Sequence, residues 1–132
     1  MPYNYKRLIL KSFFVLGMII ILYFWLIQSG SLLVKGFSNT FISLGRISAL
    51  LGVYLILMQL LVIGRIVWIE RIFGYDKLST FHHLNGLFAW GFILVHPILI
   101  IMGYAASKNS TFVQQFMQFI TSYDELLRAA IA

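Results

Sequence analysis

Residues 78–104 read LSTFHHLNGLFAWGFILVHPILIIMGY, and this stretch decides the fold. No charged residue falls between Lys77 and Lys108, and about 20 consecutive apolar residues suffice to cross a bilayer core. The pattern therefore predicts a membrane-spanning helix. All three histidines of the chain lie inside it. Because an ionisable side chain at membrane depth is costly, histidine in this position indicates a functional site.

Two of the histidines share one face of this helix. His82 and His96 are fourteen residues apart, which places their side chains within about 40° of each other and about 21 Å apart along the axis. His83 is about 140° away from His96 around the same helix. His82 and His96 are therefore the better pair, with one imidazole in each leaflet of the membrane.

Imidazoles stacked in this way have two interpretations. Histidine is a common axial ligand of haem iron, so the pair suits two haems held one above the other as an electron path. Gly86, Ala89 and Gly103 lie on the same stripe and leave room for a flat ring. Alternatively, the histidines only form hydrogen bonds to neighbouring helices, as polar residues in membrane bundles do. The spacing alone leaves both interpretations open.

The composition is that of an integral membrane protein. Of the 132 residues, 61% are hydrophobic and 11% are charged, which is too apolar for a soluble domain. The net charge is +6, but the basic residues lie mostly between apolar runs, so we expect lipid contact and no nucleic acid. The lack of cysteine excludes disulfides, thiolate chemistry and iron–sulfur ligation.

The hydropathy pattern predicts an all-α helical bundle with three membrane spans, at about residues 12–34, 41–66 and 79–104. Residues 110–124 mix glutamines with a stripe of phenylalanines, which predicts an amphipathic helix on the outer face. We therefore expect three spanning helices followed by one helix that lies along the membrane surface.

The first span has an alternative interpretation. Residues 12–31 resemble a signal peptide, because an apolar run follows basic residues and small residues suited to cleavage occur at 28–31. We expect a retained helix instead, since apolar residues resume at Leu32 and make the run longer than a signal usually needs.

The distribution of basic residues predicts the orientation. Only Lys35 and Lys108 lie on one side of the membrane in this arrangement of spans. The other side carries six basic residues, in the N-terminal segment and the loop after the second span: Lys6, Arg7, Lys11, Arg65, Arg71 and Lys77. The positive-inside bias therefore places the N-terminus in the cytoplasm. We expect a plasma-membrane protein with His82 toward the cytoplasm and His96 toward the outside.

A single cation lies near the outer end of the second span. Arg46 is about one turn inside that end, where its long side chain can reach the lipid head groups. Alternatively, Arg46 lies near a buried anion such as a haem propionate, or near an incoming acceptor. Small residues beside it allow another helix or a ring to approach the backbone: Gly45, Ser48, Ala49 and Gly52.

Several of these features resemble one known family, the ferric reductase and NADPH oxidase transmembrane domain of the flavocytochrome b type. The resemblance covers about residues 41–104. Its most specific part is the pair His82 and His96, with thirteen residues between them and Pro97 directly after the second. The loop Glu70-Arg71-x-x-Gly74-x-Asp76 supports it. Further matching positions are Gly64, Arg65, Lys77, Leu78 and Gly86.

The resemblance implies a six-helix domain with two b-type haems, of which this chain supplies the N-terminal half. Electrons would pass from NAD(P)H through FAD in a cytoplasmic domain to the inner haem, the outer haem, and then ferric iron or dioxygen outside. His82 would ligate the inner haem iron and His96 the outer. Gly86 would line the inner site and Arg46 would lie near the outer haem. The complete protein would be a haem-containing oxidoreductase.

The sequence departs from the family pattern at two points. His83 stands where the family often has arginine, so either His82 or His83 is the inner ligand. The family takes the second axial ligand of each haem from a later helix, and no histidine follows His96. We therefore expect either that the chain is the front part of a longer protein or that another chain completes the sites and binds the flavin and nicotinamide.

Two other functions fit the same residues. One is the haem-binding membrane subunit of a methionine sulfoxide reductase system, which has a similar histidine spacing and no flavin domain of its own. The other is a non-redox membrane anchor or assembly protein whose histidines only join helices. The loop from Glu70 to Asp76 favours the reductase and oxidase branch, and a flavin domain encoded downstream would decide between the two redox functions. A reduced-minus-oxidised spectrum without b-type haem bands would exclude both of them.

Overall fold

The computed structural model describes the backbone of residues 3–64 and 66–131, and the side chains of residues 5–64 and 66–123. Arg65, which contributes to the family motif and to the basic loop, lies outside the described residues. Within the described residues every regular element is helical, and this confirms the all-α fold class.

The helices of the described chain are α1 (Tyr3–Ser29), α2 (Phe37–Ile63), α3 (Val67–Phe73), α4 (Tyr75–Ser107) and α5 (Phe112–Ile131). A 3-10 turn at Gly30–Val34 extends α1. Three described segments are long and apolar enough to cross a membrane: Tyr5–Val34, Phe37–Ile63 and Tyr75–Ser107. The chain thus has the three apolar helices expected of the predicted membrane bundle.

Gly74 separates α3 from α4. Its φ of +82° lies in the left-handed region, where a residue with a side chain is strained, so glycine is suited to this turn. Asp76 in the first turn of α4 places a negative charge at the positive end of the helix dipole. α4 therefore begins directly after Gly74, four residues before the span predicted at 79–104.

The start of α1 and the short helix α3 lie at the same end of the bundle. The Nε of Arg7 donates a hydrogen bond of 2.8 Å to the carbonyl oxygen of Ile72. Because α1, α2 and α4 alternate in direction, this end also carries the C-terminus of α2 and the N-terminus of α4. The two basic segments found in the sequence are therefore joined on one side of the bundle.

The main packing contact of the bundle joins α2 and α4, which run antiparallel. Gly45 of α2 packs against Ile100, and Gly103 of α4 packs against Ile42 and the carbonyl oxygen of Ser38. The hydroxyl of Ser38 also donates a hydrogen bond of 2.6 Å to the carbonyl oxygen of Gly103. Small residues thus let the two backbones approach closely, as is usual for helices packed in membranes.

Polar side chains attach α1 to α2. The indole N–H of Trp25 donates to the carbonyl oxygen of Ser43 at 2.9 Å, and the Ser43 hydroxyl donates to the carbonyl oxygen of Ser29 at 2.8 Å. Further along, the Tyr54 hydroxyl donates to the carbonyl oxygen of Phe14 at 2.7 Å. Apolar burial gives little preference for helix contacts over lipid contacts, so such hydrogen bonds help to fix the position of α1.

The helix α5 follows the C-terminal end of α4. Its Phe119 ring lies 6.0 Å from the ring of Tyr104 at the end of α4, and Gln115 is buried. The amphipathic helix predicted at 110–124 overlaps the first part of α5, which begins two residues later, at Phe112, while the side chains beyond Tyr123 lie outside the described residues.

The substitution Gly103→Ala is expected to weaken the contact between α2 and α4. An added Cβ would lie 3.0 Å from the carbonyl oxygen of Ser38 and 3.1 Å from the backbone nitrogen of Ile42, and neither backbone atom can move aside easily. We expect a loss of about 1–3 kcal/mol in the free energy of unfolding, measured by denaturation in detergent. Gly91→Ala is the control, because nothing lies within 4 Å of its Cβ position. Equal stability of the two variants would contradict this account of the packing.

Candidate functional site

His96 of α4 contacts the backbone of α2. Its ring Nδ1 lies 2.8 Å from the carbonyl oxygen of Gly45. A carbonyl oxygen only accepts hydrogen bonds, so Nδ1 carries the proton and Nε2 of the neutral ring keeps its lone pair. Among the described residues, no hydrogen bond engages that second nitrogen. The contact with Gly45 therefore fixes both the orientation of the imidazole and the nitrogen that remains available for a metal.

His82 contacts α2 near the other end of the same helix. Its backbone carbonyl oxygen accepts a hydrogen bond of 2.9 Å from Nε2 of Gln59. Its ring Nδ1 is buried and has no hydrogen-bond partner among the described residues. An unpaired buried nitrogen is unusual, because leaving such a group without a partner costs about 1–3 kcal/mol. Nδ1 of His82 is thus a buried polar atom that the described residues leave without a partner.

The two histidines lie on the same side of α4. His96 contacts α2 through its ring and His82 through its backbone, and both residues are only partly buried. His83, in contrast, is exposed. The structure thus places His82 and His96 against one neighbouring helix at two depths, and it places His83 elsewhere on the helix surface. Which of the three binds iron stays a prediction.

Side chains of α2 occupy the space beside the small residues of α4. A Cβ added to Gly86 would lie 2.5 Å from the Nε2 of Gln59, and Ala89 is buried in a cluster with Tyr54 and Leu55. Of the two interpretations of the small-residue stripes, close approach of a helix is therefore the one observed between α2 and α4. A haem-lining role for Gly86 stays a prediction, and the atom that occupies the space beside it is the amide of Gln59.

Arg46 directly follows the residue that holds His96. The Arg46 side chain is exposed, and its Nη1 donates a hydrogen bond of 3.2 Å to the hydroxyl of Ser29, which is itself buried. A guanidinium has five N–H donors, so this one bond leaves others for an anion or for lipid head groups. The cation therefore lies at the same level of the bundle as His96.

A cavity of about 370 Å³ lies beside His82 at the end of the bundle that carries α3. Its walls are mostly aliphatic, with four residues that carry polar groups. The residues of both kinds are Leu61, Val62, Ile63, Ile66, Ile69, Glu70, Tyr75, Leu78, Ser79 and His82. His82 therefore borders an open space as well as the packed face of α2.

The described residues contain no group of three or more His, Asp or Glu side chains able to hold a bare metal ion. Haem makes a smaller demand, since the porphyrin supplies four nitrogen ligands and the protein need supply only axial ones. Metal-ligating histidines almost always donate their second ring N–H to a carboxylate, backbone carbonyl or water. The pairing of His96 Nδ1 with the Gly45 carbonyl oxygen fits this requirement.

Two polar residues near the histidines gain importance from the structure. Asn85 is buried and donates a hydrogen bond of 2.8 Å to the carbonyl oxygen of Leu55. Gln59 donates to His82, and its own Oε1 is buried without a partner among the described side chains. Each is an isolated amide in an apolar span, and this is the sequence signal that indicates a polar contact between membrane helices.

The comparisons with known proteins agree with the sequence motifs. Residues 48–127, which make up more than half of the chain, match the family model described as the ferric reductase like transmembrane component. The matched part contains His82, Gly86 and His96 but not Arg46. No curated protein and no solved structure matches the chain. The three apolar helices and the family match together show that the chain belongs to the ferric reductase-like transmembrane family.

Proposed function

We propose that the chain carries electrons across the plasma membrane through two b-type haems, as part of a ferric reductase or NADPH oxidase-like oxidoreductase. Membership of the family supports a transmembrane oxidoreductase-type role, and the haem path is the finer proposal. The observation that carries it is the ring of His96, whose Nδ1 is bound by the Gly45 carbonyl oxygen while its Nε2 stays free, on the helix that also holds His82.

Haem, when bound, supplies one-electron chemistry at its iron. The residues of this chain bind and orient it: His96 offers Nε2 near the outer end of α4, and His82 offers an imidazole nitrogen near the inner end. The carbonyl oxygen of Gly45 holds the outer imidazole in the tautomer that has a lone pair on Nε2.

The orientation of the bundle gives the electron path its direction. The hydrogen bond from Arg7 to Ile72 joins the two basic segments at one end, and the positive-inside bias makes that end cytoplasmic. His82 then lies nearer to a cytoplasmic FAD and NAD(P)H domain, and His96 nearer to ferric iron or dioxygen outside. The flavin domain and the second axial ligands belong to a later part of a longer protein or to another chain.

A reduced-minus-oxidised absorbance spectrum of the purified membrane protein tests this proposal. We expect the bands of b-type haem, with two components in a redox titration. The second candidate is a non-redox membrane anchor, which the His96–Gly45 hydrogen bond also favours because it joins two helices. A spectrum without haem bands would exclude the electron-transfer function and leave the anchor.

The substitution Arg46→Ala is expected to raise the KM for an external acceptor without emptying either haem site. The Arg46 side chain is exposed, and an exposed ionic contact with an anionic acceptor contributes up to about 1 kcal/mol, so its loss should raise the KM about two- to five-fold. Steady-state kinetics and haem content together measure this. Arg46→Lys, which keeps the charge, is the control. Loss of haem from Arg46→Ala would instead give the residue a structural role.

A further inference from the structure

Two neighbouring buried atoms at the inner histidine lack partners. These atoms are Nδ1 of His82 and Oε1 of Gln59, and both are without a hydrogen bond among the described side chains. The residues already touch, since Nε2 of Gln59 donates to the backbone carbonyl oxygen of His82 at 2.9 Å. The two unpaired atoms therefore belong to residues that are in direct contact.

The chemistry of the two atoms is complementary. An imidazole that offers Nε2 to a metal carries its proton on Nδ1 and is a hydrogen-bond donor there. The Oε1 of a glutamine is an acceptor. A hydrogen bond between them would satisfy both of the buried groups that are otherwise left without partners.

The absence of a side chain at residue 86 allows this arrangement. A Cβ on Gly86 would lie 2.5 Å from Nε2 of Gln59, closer than real carbon and nitrogen atoms approach. The amide of Gln59 therefore reaches His82 only because residue 86 is glycine. Gly86 lies four residues after His82, so it is one turn further along the same face of α4.

We infer that Gln59 is a positioning residue for His82, with its Oε1 accepting the Nδ1–H of the imidazole that holds the inner haem. This inference rests on the proposed function. The outer histidine has the same kind of support, because the carbonyl oxygen of Gly45 accepts from Nδ1 of His96. One acceptor comes from the backbone of α2 and the other from a side chain of α2, so the same helix orients both ligands.

An acceptor on the Nδ1–H of a ligating histidine raises the basicity of the ligand. A more basic imidazole stabilises ferric iron relative to ferrous iron, so the acceptor lowers the reduction potential of that haem. Removing the acceptor is therefore expected to shift the midpoint potential of the inner haem upward. The outer haem keeps the Gly45 carbonyl oxygen and is expected to keep its potential.

A redox titration of the haem-loaded membrane protein, isolated with its natural partners, tests the inference in four variants. Gln59→Met keeps the length of the side chain and loses the amide acceptor, while Gly86→Ala keeps Gln59 and displaces its amide. Both are expected to raise the potential of the component that His82→Ala removes. Gln59→Glu keeps an acceptor, and Gly91→Ala adds a Cβ to open space on the same helix. Neither is expected to raise it.

The outcomes separate this inference from the proposed function. Loss of the inner haem alone in Gln59→Met would also support it, since loss of such a contact lowers metal affinity about 10- to 100-fold. Unchanged potentials with full haem content, or equal loss of both haems, would overturn it and leave Gln59 as a contact between helices. A wild-type protein without haem would instead refute the proposed function itself.

Discussion

Replacing His96 with alanine is expected to remove the outer haem and retain the inner one. The preparation should then contain about half the haem of the wild type. Reduction of an external acceptor should fall by more than about 100-fold, because the loss of a supporting contact alone costs about 10- to 100-fold and this change removes the ligand itself. Haem extraction and acceptor kinetics measure the two effects.

The matched control for this prediction keeps the helix contact and the ring. His96→Gln retains a polar side chain able to reach the Gly45 carbonyl oxygen, which accepts the imidazole proton at 2.8 Å in the wild type. It should keep the helices together and still lack the outer haem. If His96→Gln kept both haems, the histidine would serve only to join α4 to α2.

His82→Ala is expected to remove the inner haem, whereas His83→Ala should leave the haem content nearly unchanged. The two residues are adjacent, but His82 is partly buried near α2 and borders the cavity at the α3 end of the bundle, while His83 is exposed. Without the inner haem, cytoplasmic reductant can no longer reach the outer haem, so transfer to an external acceptor should also stop. A redox titration of each variant distinguishes one component from two.

This pair of variants is informative in both directions. Each substitution removes one imidazole from the same turn of the same helix, so general effects on insertion and folding are shared. Loss of haem from His83→Ala with retention in His82→Ala would reverse the assignment of the inner ligand. The partner of His96 would then lie about 140° away around α4, and the two haems would not share a face.

The sequence was sufficient to predict the helices and the face of α4 that carries two of the histidines. The spans follow from long uncharged runs, and the turn before α4 follows from Gly74, whose φ of +82° suits glycine. The side of α4 that carries His82 and His96 follows from the helical period alone. These features depend on residues close together in the chain, and local sequence therefore determines them.

The sequence did not predict whether a helix or a haem ring packs against the stripes of small residues. Small residues at helical spacing show that something approaches closely, but the pattern is the same for a ring and for a helix. The bond between His96 and Gly45 joins residues 51 positions apart, and that between Gln59 and His82 joins residues 23 apart. Such pairs depend on the register between α2 and α4, which no local pattern specifies.

The close approach of α2 and α4 at Gly103 has a consequence for how this protein tolerates mutation. Lipid acyl chains are as apolar as leucine, so exchanging one bulky aliphatic residue for another on the lipid-facing surface changes the free energy of the protein little. The indentation that Gly103 leaves for Ile42 and Ser38 admits no such exchange. Substitutions should therefore accumulate quickly at positions that face lipid and slowly at positions where two backbones nearly touch. In this chain the most constrained positions would then be small residues, whereas in a soluble core they are usually large hydrophobic ones.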